Sequence, residues 1–419
     1  AKGHRFGFFP SIAVGYNISN EKFWQPIKPV ISNLKIRGSW GLVGNDATNA
    51  GRFAYMEDLV LGGSDSYTTG IRQDTYYSGP SWNRYFNPDL TWEVGEKINL
   101  GLDLQLFNDF NLTFDIFREK RRDIFMTREN SIPEIVGTGE TKITSNNGEM
   151  ENKGLDLAID YNKQITKDFF LSFKSTLTFA RNKVLKMDEP PYFEYPGLSD
   201  VGHPLGTYWG YVADGLFPDQ ETIDNSPRQD LGYTPQPGDI KYVNQPNAKG
   251  EYDNVINSND RVAIGHPYDP ELVYGFGPSM KWKNWDFSFF FQGVARTSFM
   301  MYGMHPFGTT SIKNMLQFVA DDHWSVDNPN PNAAYPRLTK DSNGNNDQYS
   351  TYWLRNAAFL KLKNAEIGYT YKGMRFYLSG VNLLTFSPFK HWDPEMGGGN
   401  GLYYPTQRVF NIGFQMTIQ

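Results

Sequence analysis

Strict alternation of apolar and polar residues is the feature that most constrains the fold of this chain. In the last eleven residues, Val409 to Gln419, every second side chain is apolar, from Phe410 to Ile418. The same pattern recurs at residues 100–106, 155–161 and 169–179. Period-two alternation predicts β-strands with one apolar and one polar face. Strands of this kind, roughly 9 to 11 residues long, are what a transmembrane β-barrel requires.

The composition indicates that β-strands, and not helices, are the elements that cross a membrane. The 419 residues have a mean hydropathy of -0.54, and no run approaches the roughly 18 apolar residues of a membrane helix. Alternation explains the low average, because the polar half of each strand offsets its apolar half. Aromatic residues make up 16% of the chain, and barrels concentrate such residues at the membrane interfaces. The sequence therefore predicts an all-β outer-membrane barrel.

Charge and residue counts exclude several classes of function. A net charge of -6 gives no basic field for nucleic acid. The chain has no cysteine, which excludes disulfides and thiol chemistry. Its six histidines never occur at metal-ligand spacing, so we predict no metal site and no cofactor. No signal peptide opens the sequence, and we expect the N-terminus of the exported protein to lie upstream of Ala1.

The pattern predicts about eleven antiparallel strands whose connections alternate in length. The strands are expected at residues 5–18, 33–42, 97–107, 110–119, 153–163, 168–180, 273–282, 285–295, 358–371, 374–384 and 407–418. Long connections cover residues 43–96, 120–152, 181–272, 296–357 and 385–406. Bacterial barrels have short periplasmic turns and long extracellular loops. We therefore expect Ala1 at the extracellular rim and Gln419 in the periplasm.

An odd number of strands leaves two open sheet edges, and each unpaired backbone group in lipid costs several kcal/mol. We therefore expect upstream residues to supply about as many strands again. Residues 1–419 show no linker or domain boundary. They are predicted to form one unit, the C-terminal half of a barrel domain.

Several short motifs follow one another along the chain. The earlier ones are Arg5-Phe6-Gly7-Phe8-Phe9-Pro10-Ser11, Leu34-Lys35-Ile36-Arg37-Gly38-Ser39-Trp40-Gly41 and Gly238-Asp239-Ile240-Lys241-Tyr242. The most specific are Leu360-Lys361-Leu362-Lys363-Asn364-Ala365, Arg375-Phe376-Tyr377-Leu378-Ser379-Gly380-Val381-Asn382 and Asp393-Pro394-Glu395. Together and in this order, they resemble the C-terminal half of the SusC/RagA family of TonB-linked outer-membrane importers.

The resemblance implies a barrel of about 22 strands. Its plug, its TonB-contacting segment and its first strands would lie upstream of Ala1. It also implies a SusD-like surface lipoprotein over the extracellular mouth and energy supplied through TonB. We expect an importer of oligosaccharides in the outer membrane. An oligopeptide importer of the same architecture is the alternative, and a surface adhesin or enzyme built on a barrel is a more distant one.

The segment after the Gly238–Tyr242 motif departs from the family. In relatives it often reads as an acidic, glycine-bearing loop like a calcium site. Here residues 244–253 read Asn-Gln-Pro-Asn-Ala-Lys-Gly-Glu-Tyr-Asp, with few carboxylates and one lysine. Because hard cations need several oxygen ligands, preferably charged, calcium binding is not expected here.

Aromatic residues crowd the predicted extracellular loops. Flat aromatic faces stack against the CH-rich faces of sugar rings, but tyrosine and tryptophan are also favoured at interfaces and membrane boundaries. Packing of the loops against one another is therefore the competing interpretation. The candidates for cargo contact are Tyr76, Tyr77, Trp82, Tyr85, Trp209, Trp324 and Trp353.

No motif predicts catalysis. Asp321-Asp322-His323-Trp324 places acids beside an imidazole, but adjacent loop carboxylates do not set the separation that glycoside hydrolysis needs. The run Gly137–Lys142 lacks the ending of a phosphate loop and is expected to be a loop hinge. The run Arg118–Asp123 is expected to be a solvated strand end, with contact to anionic lipid headgroups as the alternative.

Overall fold

One antiparallel sheet of eleven long strands dominates the structure, which is a computed structural model. It describes residues 3–47, 53–62, 66–128, 130–133, 135, 143–302, 315–339 and 342–416. Within these ranges no helix is long and apolar enough to cross a membrane.

The strands of the described residues are numbered here in chain order. The first twelve are β1 Ser11–Asn17, β2 Ile31–Asn45, β3 Asp58–Val60, β4 Ser66–Thr69, β5 Thr75–Ser78, β6 Ser81–Arg84, β7 Glu93–Leu106, β8 Phe110–Thr127, β9 Thr144–Thr166, β10 Phe169–Lys186, β11 Tyr208–Gly210 and β12 Ala213–Leu216. The others are β13 Arg228–Gln229, β14 Ile240–Tyr242, β15 Val255–Ile256, β16 Val262–Ile264, β17 Leu272–Trp282, β18 Trp285–Ala295, β19 Ser298–Met300, β20 Leu354–Asn356, β21 Phe359–Tyr371, β22 Met374–Phe386 and β23 Val409–Met416. Two short helices are α1 Gln220–Asp224 and α2 Gln317–Asp321.

The large sheet is an up-and-down meander in which each long strand pairs with the long strand that precedes it in the sequence. Its order is β1-β2-β7-β8-β9-β10-β17-β18-β21-β22-β23. Each of these coincides with one predicted strand, so the predicted all-β fold and its strand order are confirmed. Strands β1 and β23 form the two edges, and the sheet is open between them.

The first strand begins later than predicted. It starts at Ser11 instead of residue 5, and residues 5–10 lie outside any strand. Pro10 has no backbone N–H to donate to a ladder, although its carbonyl accepts a hydrogen bond from the N–H of Leu42 at 2.9 Å. Apolar alternation alone therefore misplaced this strand end.

Several strands are longer than predicted, among them β8, β9 and β10 in the middle of the sheet. Strand β9 has 23 residues, against the roughly 9 to 11 that cross a membrane. Its extra length pairs with β8 through ion pairs, such as Arg118 Nε to Glu151 Oε1 at 2.6 Å and Lys120 Nζ to Glu149 Oε2 at 2.9 Å. The charged run Arg118–Asp123 is thus part of a strand. Its cross-strand charges replace the apolar alternation on which the predicted bounds depended.

Connections alternate in length as predicted. The short turns lie at residues 107–109, 167–168, 283–284 and 372–373. Several of their residues adopt the left-handed conformation that tight turns require, including Phe107, Asn108 and Lys283. Every short strand from β3 to β20 lies in one of the long connections. The alternation is therefore a property of the fold, with all the short strands of the described residues at one end of the sheet.

The two faces of the sheet differ in chemistry. One row across the strands contains Val14, Leu100 and Ile116, which are more than half exposed. The adjacent row contains Arg37 and Asp115 on strands β2 and β8. An exposed apolar face opposite a charged face is typical of a barrel wall between lipid and lumen.

An arginine on the charged face spans three strands. Arg37 of β2 donates to Asp115 of β8 at 2.7 Å and to Asp103 of β7 at 3.3 Å. Gly101 of β7 lies between Arg37 and Asp115 in the register. A Cβ at Gly101 would lie 2.5 Å from Cζ of Arg37. The guanidinium therefore reaches Asp115 only because the intervening residue has no side chain.

The same arrangement recurs near the other edge. Arg375 of β22 donates to Asp286 of β18 at 3.0 Å and to Glu366 of β21 at 2.5 Å. A Cβ at Gly368 of β21 would lie 2.6 Å from the Arg375 guanidinium. Near each edge of the sheet, an arginine thus passes over a glycine and pairs with a carboxylate two strands away.

Replacing Arg37 by alanine should destabilise the sheet, because two carboxylates on neighbouring strands lose the cation between them. We expect a loss of about 1–2 kcal/mol, the range for hydrogen bonds to charged groups that are partly exposed. The measurement is the urea midpoint at which the full-length protein in detergent loses its heat-modifiable migration on gels.

Lys174→Ala is the control for this measurement. Lys174 lies 3.9 Å from Asp160, and 72% of its side chain is exposed. The midpoint should therefore not move. Equal shifts for the two variants would show that Arg37 contributes no more than an ordinary surface charge.

Candidate functional site

Three long connections fold together at the loop end of the sheet, and we call this body the loop cluster. Its parts are residues 187–271, 296–358 and 387–408, within the described ranges. Its core consists of Tyr211, Leu216, Ile240, Tyr242, Ile256, Ile264, Phe299, Met300, Met301, Val319, Trp324, Ala333, Tyr335, Trp353, Ala357 and Phe389. The hydrophobic core of the chain therefore lies in its loops, since the apolar face of the sheet is exposed.

A buried carboxylate organises the polar side of the loop cluster. Asp239 is fully buried, and its Oδ1 accepts hydrogen bonds from Arg337 Nε at 2.7 Å, Asn346 Nδ2 at 2.8 Å and Asn343 Nδ2 at 3.0 Å. Its Oδ2 accepts from the backbone N–H of Gln236 at 2.8 Å. A buried charge is tolerated only when it is paired and hydrogen-bonded. Asp239 therefore holds the second loop of the cluster against the first.

The rest of the Gly238–Tyr242 motif serves the same contact. Gly238 has φ of +88°, and a Cβ there would lie 2.2 Å from the ring of Trp324. Ile240 is fully buried, and the hydroxyl of Tyr242 donates to the carbonyl of Asn345 at 2.7 Å. Each of these positions therefore has a packing requirement that the sequence alone did not reveal.

The Asp393-Pro394-Glu395 motif attaches the last loop to strand β21. Lys361 of β21 is fully buried and donates to Asp393 at 2.6 Å and to Glu395 at 2.5 Å. Burial by itself would raise the pKa of Asp393. Hydrogen bonds from Lys361, Thr406 and the N–H of Glu395 outweigh it and lower that pKa below its usual value. The Asp393 carboxylate is therefore ionised at neutral pH, and its contact with Lys361 fixes the glycine-rich turn that follows.

Tyrosines from all three loops line a recess of about 330 Å³, which we call the tyrosine cleft. Its walls are Tyr208, Tyr268, Met300, Tyr302, Tyr349, Met396, Gly397, Gly398 and Tyr403. Burial raises the pKa of Tyr208 to about 12, so that its phenol stays protonated at physiological pH. The cleft presents aromatic faces, hydroxyls and glycine backbone, and none of its lining side chains carries a charge at neutral pH.

A second cavity of about 340 Å³ shares Tyr302 and Tyr349 with the tyrosine cleft. Its lining is largely apolar and includes Met301, Val319 and Trp353. The two tyrosines therefore stand between two neighbouring recesses on the loop side of the sheet.

The predicted aromatic candidates lie in three different places. Trp324 and Trp353 are buried in the core of the loop cluster, where Trp353 also borders the second cavity. Trp209 is partly exposed and donates its indole N–H to Asp200 at 2.6 Å.

The other candidates belong to the first long loop. Tyr76 and Tyr77 are exposed on strand β5, and Tyr77 stacks on Tyr67 at 5.2 Å. Trp82 stacks on Tyr85 at 5.5 Å. The structure thus does not gather the seven candidates into one surface.

None of the residues that line the tyrosine cleft is among the seven aromatic candidates singled out from the sequence. Tyr268, Tyr302 and Tyr403 lie in three different loops, and no local pattern distinguishes them. The Gly397-Gly398-Gly399 run beside Tyr403 is the one local signal, since it marks a close approach of backbone. A Cβ at Gly398 would lie 2.3 Å from the carbonyl oxygen of Met300.

Residues 244–253, which depart from the calcium-like pattern, form hydrogen bonds with one another. The Oδ1 atom of Asn247 accepts from the N–H groups of Lys249 at 2.9 Å and Glu251 at 3.0 Å. Asp260 accepts from the N–H groups of Gln245 at 2.7 Å and Asn257 at 2.8 Å, and burial raises its pKa. Among the residues that the structure describes, no three acidic or histidine side chains are placed to hold a metal ion.

Of the other motifs considered from the sequence, one forms an ordinary structural contact and one lies outside the described residues. His323 follows helix α2, and its Nδ1 lies 2.8 Å from the carbonyl oxygen of Ala320. The expected hinge at Gly137–Lys142 lies outside the described residues.

Comparison with known proteins identifies relatives along almost the whole chain. Residues 2–383 match the family described as TonB dependent receptor-like, beta-barrel. The chain is 29% identical over 443 residues to the TonB-dependent receptor SusC of Bacteroides thetaiotaomicron, covering 99% of this chain and 40% of SusC. It is 28% identical over 450 residues to a TonB-dependent receptor of Formosa agariphila, covering 99% of this chain and 42% of that protein.

A solved structure has the same fold. The structure of the RagAB peptide transporter matches with a TM-score of 0.73 and 21% identity, over 99% of this chain and 44% of that chain. The present chain therefore spans less than half the length of the relatives that it matches.

Replacing Asp239 by alanine should loosen the loop cluster. The variant leaves the guanidinium of Arg337 without its buried partner, which costs about 3–5 kcal/mol. We expect faster cleavage of the loops by a protease added to the full-length protein in detergent. Asp214→Ala is the control, because Asp214 pairs with Lys241 at 2.9 Å but is 60% exposed. Equal cleavage rates for the two variants would contradict this role of Asp239.

The loop cluster should also become less stable in mild acid. The ring of His391 stacks on Phe318 at 4.2 Å, and its Nε2 lies 3.2 Å from the Tyr335 hydroxyl. Burial lowers the pKa of His391, and the nearby positive charge of Arg355 lowers it further. A histidine with a lowered pKa contributes stability that is complete above its unfolded value of about 6.5 and is lost as the pH falls below that value.

The measurement for His391 is the rate of loop proteolysis between pH 7.5 and 5.5, corrected for the pH dependence of the protease. We expect the rate to rise with acidity in the wild type and less so in His391→Gln, which does not titrate in this range. Identical pH profiles would show that His391 is not responsible.

Proposed function

Because this chain belongs to the TonB-dependent receptor-like β-barrel family, we propose that it forms the C-terminal half of the barrel of an outer-membrane importer. The chain lies in the outer membrane, as the family does. The observation that carries the proposal is the open eleven-stranded sheet with one apolar and one charged face. Such a sheet is a barrel wall, and it encloses a pore only with further strands.

The proposed transporter contains an upstream half. The relatives are more than twice as long as the part that this chain matches, which leaves room for the remaining strands and a plug. In this proposal the upstream half pairs with the edge strands β1 and β23, whose outer backbone groups would otherwise face lipid. It also carries the segment that contacts TonB, through which uptake is energised.

The proposed cargo is an oligosaccharide delivered with a SusD-like surface lipoprotein. Exposed aromatic side chains on the loop side support this cargo, among them Tyr76 and Trp82, which stacks on the partly exposed Tyr85. Rings of this kind can stack on sugar faces at the entrance of the pore. A peptide cargo is the alternative, because the RagAB peptide transporter shares the fold.

The proposal gives the chain no catalytic role. Buried acids of the loop cluster serve its architecture: Asp239 holds Arg337, and Glu271 holds Arg296 at 2.7 Å. Asp393 and Glu395 hold Lys361 in the same way. These carboxylates stabilise loops, which is what a transporter needs from a rigid entrance.

Replacing Trp82 or Trp209 by alanine should weaken cargo binding while leaving the barrel folded. Loss of one stacking platform is expected to lower affinity about fivefold, or ~1 kcal/mol. The measurement is titration calorimetry of the full-length transporter with neutral hexasaccharides and with uncharged hexapeptides.

Trp282→Ala is the matched control, since Trp282 is exposed at the short-turn end of strand β17. Its affinity should equal that of the wild type. Unchanged affinity in the Trp82 and Trp209 variants would argue against aromatic capture at the loop side, and binding of hexapeptides alone would select the peptide alternative.

A further inference from the structure

The tyrosine cleft has the features of a binding site. Tyr268, Tyr302, Tyr349 and Tyr403 remain 57%, 51%, 46% and 55% exposed although they face one recess. The packing of the loops does not require these rings, because the core is built from other aromatic residues such as Tyr335 and Trp353. Aromatic faces left exposed in a concave recess mark a place where a ligand binds.

The glycine wall of the tyrosine cleft is held in place by backbone hydrogen bonds and by Trp392, which lies outside the cleft. The indole N–H of Trp392 donates to the carbonyl of Gly397 at 2.9 Å, and the N–H of Gly399 donates to the carbonyl of Met300 at 2.8 Å. The carbonyl of Gly399 in turn accepts from the N–H of Tyr302 at 3.1 Å. Because Lys361 anchors the start of this turn, the glycine wall is formed before any ligand arrives. A preformed wall lowers the entropic cost of binding.

The chemistry of the lining disfavours anionic ligands. Five phenols and two methionines surround the glycine wall, and none of these groups is ionised at neutral pH. A carboxylate or sulfate group would lose part of its water here without gaining a counter-charge, which is costly. A hydroxyl-rich ring loses little, because phenols and backbone groups donate and accept hydrogen bonds and the aromatic faces cover its CH groups.

We propose that the tyrosine cleft is a cargo subsite that binds uncharged sugar rings. The inference rests on the proposed importer function and narrows its cargo to neutral oligosaccharides. A volume of about 330 Å³ is at the lower end of the roughly 300–1,000 Å³ of small-molecule sites, so the cleft holds a short part of an oligomer. Three loops contribute to it, and cargo bound there contacts all three at once.

The test uses the full-length transporter in detergent and a panel of hexamers. The neutral probes are maltohexaose, cellohexaose, xylohexaose and mannohexaose, and the charged probe is hexagalacturonate. An uncharged alanine–serine hexapeptide with blocked termini represents peptide cargo. We expect at least one neutral hexasaccharide to bind at least tenfold more tightly than hexagalacturonate and the peptide.

Two double variants test the tyrosines directly. Tyr268→Ala with Tyr403→Ala should weaken binding of that hexasaccharide at least tenfold, since two ring faces are lost. Tyr268→Phe with Tyr403→Phe keeps the rings and loses only hydroxyls, and it should weaken binding about threefold. The phenylalanine pair also keeps the test valid if the alanine pair does not fold. Tyr371→Ala is the control, because Tyr371 is exposed beside the short turn at the opposite end of strand β21.

Uptake measurements separate failure of this inference from failure of the importer proposal. TonB-dependent uptake of a neutral hexasaccharide that is unchanged in both double variants would overturn the cleft assignment and leave the importer proposal standing. Tightest binding of hexagalacturonate or of the peptide would overturn the cleft assignment as well. Absence of TonB-dependent uptake for every probe in the wild type would contradict the importer proposal itself.

Discussion

Backbone hydrogen bonding across the eleven-stranded sheet is the constraint on which the rest of the structure depends. A strand in lipid must pair on both sides, because an unpaired backbone group there costs several kcal/mol. The meander satisfies this requirement for nine strands and leaves it open at β1 and β23. The strands are further tied by Arg37 and Arg375, each of which reaches a carboxylate two strands away over a glycine. A wall held in this way needs partner strands, and it gives the loops a rigid base.

The loops use that base to build the only part of the described chain with a substantial hydrophobic core. Two buried ions hold it together. Asp239 joins the loop before β17 to the loop before β21, and Lys361 joins β21 to the loop before β23. Because a buried charge without its partner is strongly destabilising, each ion determines one arrangement of the segments around it. The tyrosine cleft lies where these loops meet, so its geometry depends on both contacts.

Much of the fold was accessible from the sequence, but little of the candidate site was. Each long strand was predicted because alternation is a local signal that the two sides of a barrel wall impose directly. The errors in the predicted strand bounds have local causes. Strand β1 begins only after Pro10, and ion pairs extend β8 and β9 beyond the apolar pattern. Motifs such as Gly238–Tyr242 were visible, yet their role required the contacts to Asn343 and Asn346. Of the aromatic candidates, Trp353 borders a cavity, whereas Tyr268 and Tyr403 were not singled out at all.

The sequence by itself determined the class of the fold, the order of the long strands that the structure describes, and the alternation of short and long connections. These follow from the period of side-chain polarity and from the cost of unpaired backbone in lipid, which are properties of neighbouring residues. Only the tertiary structure decided which aromatic residues are buried in the loop core and which line a recess. That choice depends on contacts between residues such as Tyr208 and Tyr403, which lie in different loops far apart along the chain, and no local pattern records which distant segments will meet.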